Sequence, residues 1–225
     1  MNTDWTCILF DLDGTITDSA PGITASLAWL FETLGHPIPT PVELLSYVGP
    51  PLLEAFRDLA GFDAAESAHA LDLYRSHYVS TGLYDSTVYP GIAAVLTAIH
   101  NSGIPLSLAT SKPESSARLI LDHFDLTKNF DIITGASEDE RRSAKADVVA
   151  EALLRFEAAG VDISNPVLVG DREHDVHGAA AHGVPTIFVR WGYGSPAEEV
   201  GSIAVVDKPS ELSALLFDQR EALSA

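Results

Sequence analysis

Apolar residues along this chain alternate between short continuous runs and longer stretches with three- and four-residue spacing. Six short runs, typical of buried strands, lie at Thr6 to Phe10, Leu106 to Ala109, Ile132 to Thr134, Val167 to Gly170, Thr186 to Val189 and Ala204 to Val206. Stretches rich in helix-forming residues carry the longer spacing, at Ile92 to Asn101, Glu114 to His123, Ala144 to Ala159, Asp175 to His182 and Ser210 to Ala225. This alternation predicts an α/β fold with a parallel sheet covered by helices.

A long interruption with helical patterning separates the first two predicted strands. Between Ile16 and Tyr89 the apolar residues recur at helical spacing, which predicts a small bundle. The Pro90-Gly91 dipeptide marks a return to the sheet. We therefore expect a sheet domain of residues 1–16 and 88–225, with an all-helical domain of residues 17–87 inserted in it.

Composition and charge exclude several classes of function. The chain has 225 residues, of which 46% are hydrophobic, so it can bury a sizeable core. Its 13 Lys and Arg against 32 Asp and Glu give a formal charge of -19, which opposes binding to nucleic acid polymers and to anionic membranes. The single cysteine, Cys7, cannot support an internal disulfide.

The first residues lack a basic region followed by a long apolar stretch, and no later segment is apolar enough to span a bilayer. We expect a cytoplasmic protein, a monomer or a homodimer, whose partner is a small molecule.

Two carboxylates follow the first predicted strand. Asp11 and Asp13 flank one leucine and precede Gly14. Alternate side chains of a strand share a face, so the pair can project together. Like charges held close are unfavourable unless a cation, a proton or a ligand offsets them. On these residues alone, a chemical site and an ordinary turn with solvated acids both remain open.

Other strand and helix ends add polar residues. Thr110 and Ser111 follow the second predicted strand, and Asp171 and Asp175 follow the run that ends at Gly170. The carboxyl ends of parallel strands are where ligands of open sheets bind. Lys145 lies at the start of a predicted helix, where the macrodipole disfavours a cation, so an anion nearby would explain it.

In order along the chain, Phe10-Asp11-Leu12-Asp13-Gly14-Thr15, Thr110, Lys145 and Gly170-Asp171 to Asp175 resemble the motifs of the haloacid dehalogenase superfamily of phosphohydrolases. The resemblance spans essentially the whole chain and implies a Rossmann-like core with a helical cap inserted after the first strand. More locally, Thr110-Ser111-Lys112-Pro113 and Trp191-Gly192-Tyr193-Gly194 resemble the phosphoglycolate phosphatase-like and 5'-nucleotidase-like branch.

The resemblance implies that Asp11 attacks phosphorus, forming an aspartyl-phosphate, and that Asp13 serves as general acid and base. It assigns Lys145 and Thr110 to catalysis and, with Ser111, to binding the phosphate. It also implies a Mg²⁺ ion held by the Asp11 carboxylate, the Asp13 backbone carbonyl and Asp171. Asp175 would orient this site from outside the ligand set.

The expected substrate is a small soluble phosphate monoester, with phosphoglycolate or a 5'-nucleotide as the leading candidates. Arg57 is the predicted contact for an anionic leaving group, and Tyr47 or Phe56 could pack against a nucleoside base. A sugar-phosphate mutase is the nearer alternative, because the same intermediate can be handed to a sugar hydroxyl. A phosphorylation switch or phosphate-binding module is the other alternative.

Overall fold

The computed structural model describes residues 5–217 and contains a six-stranded sheet in which every pairing is parallel. Its strands have the spatial order β5-β4-β1-β6-β7-β8. They are β1 (Cys7–Phe10), β4 (Leu106–Pro113), β5 (Ile132–Ala136), β6 (Pro166–Gly170), β7 (Thr186–Val189) and β8 (Ala204–Val206). The predicted Rossmann-like α/β fold is therefore confirmed.

Helices cover both faces of the sheet because alternate strand residues point to opposite sides. Ile8 and Phe10 of β1 belong to one buried cluster, and Cys7 and Leu9 belong to the other. The first face packs against α5 (Ile92–Ser102), α6 (Glu114–His123) and α9 (Pro209–Phe217). The second packs against α7 (Lys145–Ala158) and α8 (Glu173–Ala180). The predicted helix at Ser210 to Ala225 extends beyond the described residues.

A two-stranded antiparallel ribbon joins the sheet to a group of helices. Its strands are β2 (Thr17–Asp18) and β3 (Thr87–Val88). Strands of two residues give too short a pattern to be predicted from sequence. Between them lie α1 (Ala20–Thr33), α2 (Pro41–Leu45), α3 (Leu52–Asp58) and α4 (Ala64–His77), followed by a π-helical turn (Tyr78–Gly82). We call residues 17–88 the cap and the rest the core.

Strand β4 is longer than its apolar run predicts. It continues through Thr110 and ends at Pro113, with an irregular register against β5 between those two residues. Such irregularities redirect side chains at the ends of strands. Within residues 5–217, no helix is both long and apolar enough to cross a membrane.

Candidate active site

The carboxyl ends of three neighbouring strands bring the predicted residues together. Strand β1 lies between β4 and β6, so Asp11 after β1, Thr110 in β4 and Asp171 after β6 share one edge of the sheet. All three side chains are buried. Residues far apart in sequence thus become neighbours through parallel pairing, as the strand-end positions predict.

An acidic cluster with one ammonium group forms the centre of this edge. One carboxylate oxygen from each of Asp11, Asp171 and Asp175 lies within 4.8 Å of the others. The Lys145 Nζ lies 2.5 Å from Asp11 Oδ1, 2.6 Å from Asp175 Oδ1 and 2.7 Å from the Ala109 carbonyl oxygen. A cation at the start of α7 interacts unfavourably with the helix dipole, and the two carboxylates that contact Lys145 offset this cost.

Burial shifts the pKa values of this cluster. It raises the pKa of Asp11 to about 6, against the opposing effect of the Lys145 ammonium, and the Asp175 charge adds to the rise. Burial and the charges of Asp175 and Asp11 raise the pKa of Asp171 well above its usual value. Burial acts to lower the pKa of Lys145, but the two carboxylates more than offset it and raise the value. Burial and mutual repulsion thus disfavour the charged forms of Asp11 and Asp171 in this cluster.

Hydrogen bonds distinguish Asp171 from Asp175. Asp175 uses Oδ1 for Lys145, and its Oδ2 accepts from the backbone N–H groups of Asp171 (3.1 Å) and Arg172 (3.0 Å). Asp171 accepts one hydrogen bond on each oxygen, from the Thr15 hydroxyl (3.1 Å) and the Tyr193 N–H (2.7 Å). Asp175 therefore fixes the loop that carries Asp171, whereas Asp171 keeps lone pairs for another ligand.

The residues of this cluster fit a divalent cation. Three buried carboxylates and one ammonium leave uncompensated charge, and oxygen is the ligand that hard divalent cations prefer. Space is preserved next to Asp171: Gly14 has φ +88°, and a Cβ there would lie 2.2 Å from Asp171 Oδ2. A Cβ at Gly192 would lie 2.3 Å from the same oxygen. Asp11 and Asp171 are the carboxylates available to hold the ion, and the Asp13 carbonyl remains a predicted ligand.

Asp13 has different partners from Asp11. The Lys112 Nζ contacts both of its carboxylate oxygens, at 3.0 and 2.9 Å, and the Ser19 hydroxyl donates to Oδ1. Lys112 also lies over the Tyr78 ring of the cap, 4.8 Å from its centroid. Lys112 is buried beside Asp13.

The predicted substrate-binding residues have different positions. Thr110 is buried, and its hydroxyl accepts from the Lys112 N–H at 3.3 Å. Ser111 lines a cleft between the cap and the core that also contains Asp13. Arg57 lies in the last turn of α3, is exposed and is outside the lining of that cleft. Its contact with a leaving group stays a prediction.

The cleft is mainly aliphatic and aromatic on the cap side. Arg75 of α4 and Glu140 of the core add charges at its wall. Phe56, one of two aromatic residues predicted to meet a base, is fully buried, whereas Tyr47 belongs to the lining. The aliphatic and aromatic residues of the cap lining are Ile23, Tyr47, Leu52, Leu71, Tyr74, Tyr78 and Val79.

Tyr193 is a contact that sequence reasoning missed. Its hydroxyl accepts from the N–H groups of Ser19 (2.8 Å) and Ala20 (2.9 Å), and donates to Asp18 Oδ1 (2.8 Å). Its backbone N–H binds Asp171. Tyr193 thus joins the entry of the cap to the acidic cluster. The Trp-Gly-Tyr-Gly motif was the available signal, but the partners of the Tyr193 hydroxyl lie over 170 residues away.

Arg172 is another link between core and cap. Its Nε donates to Glu198 at 2.8 Å, and its guanidinium also donates to the Val48 carbonyl in the cap. Glu198 is thus the acid with which this arginine forms an ion pair.

The chain is similar to several known proteins. The family described as haloacid dehalogenase-like hydrolase matches residues 8–189. A 5'-nucleotidase of Pseudomonas aeruginosa is 39% identical over 85% of this chain and 85% of its own. A phosphoglycolate phosphatase of Rhodospirillum rubrum is 34% identical over 89% of this chain and 86% of its own. The crystal structure of a predicted phosphatase from Clostridium acetobutylicum aligns with a TM-score of 0.87, at 35% identity, over 98% of this chain and 99% of that one.

A relative named tyrosine-protein kinase PtkA, from Mycobacterium tuberculosis, is 42% identical over 83% of this chain. The present chain spans 62% of the length of that relative. The family match extends over the strands and loops that carry Asp11, Thr110, Lys145 and Asp171. The chain therefore belongs to the haloacid dehalogenase-like hydrolases.

Proposed function

We propose that the protein is a Mg²⁺-dependent phosphatase that hydrolyses a small soluble phosphate monoester through an aspartyl-phosphate on Asp11. The observation that carries this proposal is the pairing of two aspartates with two different lysines. Asp11 contacts Lys145 beside the acidic cluster, whereas Asp13 contacts Lys112 at the cleft. Separate environments suit separate chemical roles.

In the first half of the reaction, Asp11 attacks phosphorus. Lys145 holds Asp11 Oδ1, so the other carboxylate oxygen supplies the electron pair for the new P–O bond. The bond from phosphorus to the leaving-group oxygen breaks as Asp13 gives that oxygen a proton. Lys145 and the Thr110 hydroxyl offset the charge of the transferring phosphoryl oxygens.

In the second half, Asp13 accepts a proton from water as the water oxygen attacks phosphorus. The bond between Asp11 and phosphorus then breaks, and inorganic phosphate leaves. Lys112, 2.9 Å from Asp13, stabilises the carboxylate form that exists between the two proton transfers.

Asp11, Asp171 and the Asp13 carbonyl are the proposed ligands of Mg²⁺. When bound, the ion supplies positive charge for phosphate binding and neutralises the crowded carboxylates. Asp175 orients Lys145 and the loop before α8 through the contacts described above.

The leading candidate substrates are phosphoglycolate and a 5'-nucleotide, which differ in their leaving group. The relatives named 5'-nucleotidase and phosphoglycolate phosphatase support both. Tyr47 in the cleft lining supports stacking with a base. The charge of -19 disfavours nucleic acid polymers as substrates.

Transfer of the phosphoryl group to a hydroxyl instead of water is the alternative activity. A sugar-phosphate mutase would form the same intermediate on Asp11. Product analysis separates the activities, because a phosphatase releases inorganic phosphate stoichiometrically with the alcohol, whereas a mutase or kinase yields a new phosphate ester.

The test uses Asp11→Asn and Asp13→Asn with p-nitrophenyl phosphate and Mg²⁺. We expect Asp11→Asn to lower kcat by about 1,000-fold or more without unfolding the protein. Asp13→Asn should retain a burst of p-nitrophenol, because this leaving group needs little protonation, and then accumulate phosphoenzyme. Asp72→Asn, an exposed change on α4, is the control. Normal turnover by Asp11→Asn would refute the nucleophile assignment.

A further inference from the structure

The charged wall of the cleft contains an ion pair between cap and core. Arg75 of α4 donates to the Glu138 carbonyl at 3.1 Å, and its guanidinium pairs with the Glu140 carboxylate. The side chains of Arg75 and Glu140 are 24% and 16% exposed. Both residues line the cleft that contains Asp13. Partial burial makes this pair less screened than a surface ion pair.

The charges along the described cleft lining cancel in two pairs. Asp13 binds Lys112 at one place, and Glu140 binds Arg75 at the other. The guanidinium of Arg75 is therefore already neutralised before a ligand arrives. An anionic group that entered here would have to displace Glu140 and remain close to its charge, which is unfavourable.

One segment of the cap contacts both pairs. The Tyr78 ring faces Lys112, and Arg75, which binds Glu140, precedes Tyr78 by three residues, a rise of about 4.5 Å along a helix. Leu71 and Tyr74 line the same cleft as Asp13, Arg75 and Glu140. A leaving group bound in this cleft would therefore lie near both apolar side chains and the Arg75–Glu140 ion pair.

We propose that Glu140, by holding Arg75, is a specificity determinant that selects against leaving groups bearing a carboxylate. The preferred substrates are phosphate monoesters whose leaving group is uncharged and presents an apolar or aromatic face. Such a group packs against Tyr74 and Leu71 without breaking the ion pair. This inference rests on the proposed phosphatase function and narrows its substrate class.

The test compares two aryl phosphates of nearly equal shape, 4-carbamoylphenyl phosphate and 4-carboxyphenyl phosphate. We measure the ratio of their kcat/KM values, carbamoyl over carboxyl, and expect it to be about 10 in the unchanged protein. Glu140→Gln leaves Arg75 without its anion and should lower the ratio about tenfold. Arg75→Gln leaves Glu140 without its cation and should raise the ratio above that of the unchanged protein.

Asp139→Asn is the matched control. It removes the same charge from the neighbouring residue, but Asp139 is exposed and its carboxylate accepts from Ser137 and Arg141. Its ratio should equal that of the unchanged protein, and thermal melting checks that each variant folds. An unchanged ratio in Glu140→Gln, or equal shifts in Glu140→Gln and Asp139→Asn, would overturn the inference and leave the phosphatase proposal intact. Absence of hydrolysis of both esters by the unchanged protein would overturn both.

Discussion

The acidic edge of the sheet consists of buried charged residues, whereas the cap side of the cleft is mainly apolar. At the sheet edge, Asp11, Asp171, Asp175 and Lys145 are buried close together, and Lys145 contacts Asp11 and Asp175. On the cap side, most of the lining is apolar, and Arg75 is the basic residue that the described cap contributes to the lining. We therefore expect phosphoryl transfer to depend on the closely spaced charges at the sheet edge. Discrimination between leaving groups should depend on the mainly apolar cap lining.

The largest effect expected at the sheet edge follows from Asp171→Asn. It removes one carboxylate of the acidic cluster while the amide can still accept from the Tyr193 N–H. We expect kcat/KM with Mg²⁺ to fall about 100-fold or more, because the metal loses an anionic ligand. Mg²⁺ should raise the Tm of the unchanged protein but leave the Tm of Asp171→Asn unchanged.

Without metal, Asp171→Asn should have the opposite effect on stability. Burial and neighbouring charges raise the pKa of Asp171, so its ionised form costs stability. In EDTA at pH 7 we expect the free energy of unfolding to increase by about 1 kcal/mol. Calorimetry with and without Mg²⁺ checks this, and an equal Tm response to Mg²⁺ in both proteins would remove Asp171 from the ligand set.

The crowded charge also predicts a pH dependence of the metal-free protein. Asp11 has a pKa raised from 3.8 to about 6, mainly by burial. Because the folded state binds this proton more tightly than the unfolded state, the contribution of Asp11 to stability is present below pH 4 and lost as the pH rises through 6. Between pH 4 and a pH above 6, the contribution of Asp11 to the free energy of unfolding should decrease by about 3 kcal/mol.

Other carboxyls have lowered pKa values and oppose this trend, among them Glu114 and Glu198. The measurement is therefore the difference in unfolding free energy between the unchanged protein and Asp11→Asn, in EDTA from pH 4 to pH 7. Asp11→Asn should gain stability relative to the unchanged protein as the pH rises. A difference that is constant over this range would contradict a raised pKa at Asp11.

A smaller effect is expected where the two regions meet. Tyr193→Phe removes the hydroxyl that binds Ser19, Ala20 and Asp18, but keeps the backbone bond to Asp171. Since Ser19 also donates to Asp13, we expect kcat to fall about fivefold. The Mg²⁺ concentration for half-maximal activity should stay within about twofold.

Tyr84→Phe, the same change at a half-exposed position of the cap, is the control for Tyr193→Phe. If Tyr193→Phe weakens Mg²⁺ binding as much as it lowers kcat, the hydroxyl supports the acidic cluster and does not link it to the cap.

The smallest effect concerns the two cap arginines. Arg57 is exposed on α3 and lies outside the cleft lining, so we expect Arg57→Ala to change phosphoglycolate turnover less than about twofold. Arg75→Ala should change phosphoglycolate turnover more than Arg57→Ala does, because Arg75 lines the cleft. Steady-state kinetics of the two variants decides, and a larger loss in Arg57→Ala would support the residue that the sequence predicts.

Much of the core was predictable because its signals are local. Apolar runs marked the six strands, and each strand end carried its own polar residue, as at Asp11, Thr110 and Asp171. Parallel pairing then obliges those ends to meet. By contrast, Arg75 meets Glu140 across 65 residues, and nothing in either local segment indicates that contact.

The α/β fold, the family and the residues that gather at the edge of the sheet could be predicted from the amino-acid sequence. Each apolar run and the polar residues that follow it are consecutive in the chain, so they can be recognised without knowing the fold. The tertiary structure was needed to show which lysine forms an ion pair with which aspartate. It was also needed to show that Tyr193 joins the acidic cluster to the entry of the cap, and that Arg75 lines the cleft whereas Arg57 does not. Those outcomes depend on how helices pack and how loops cross, and packing brings together side chains whose separation along the chain carries no signal.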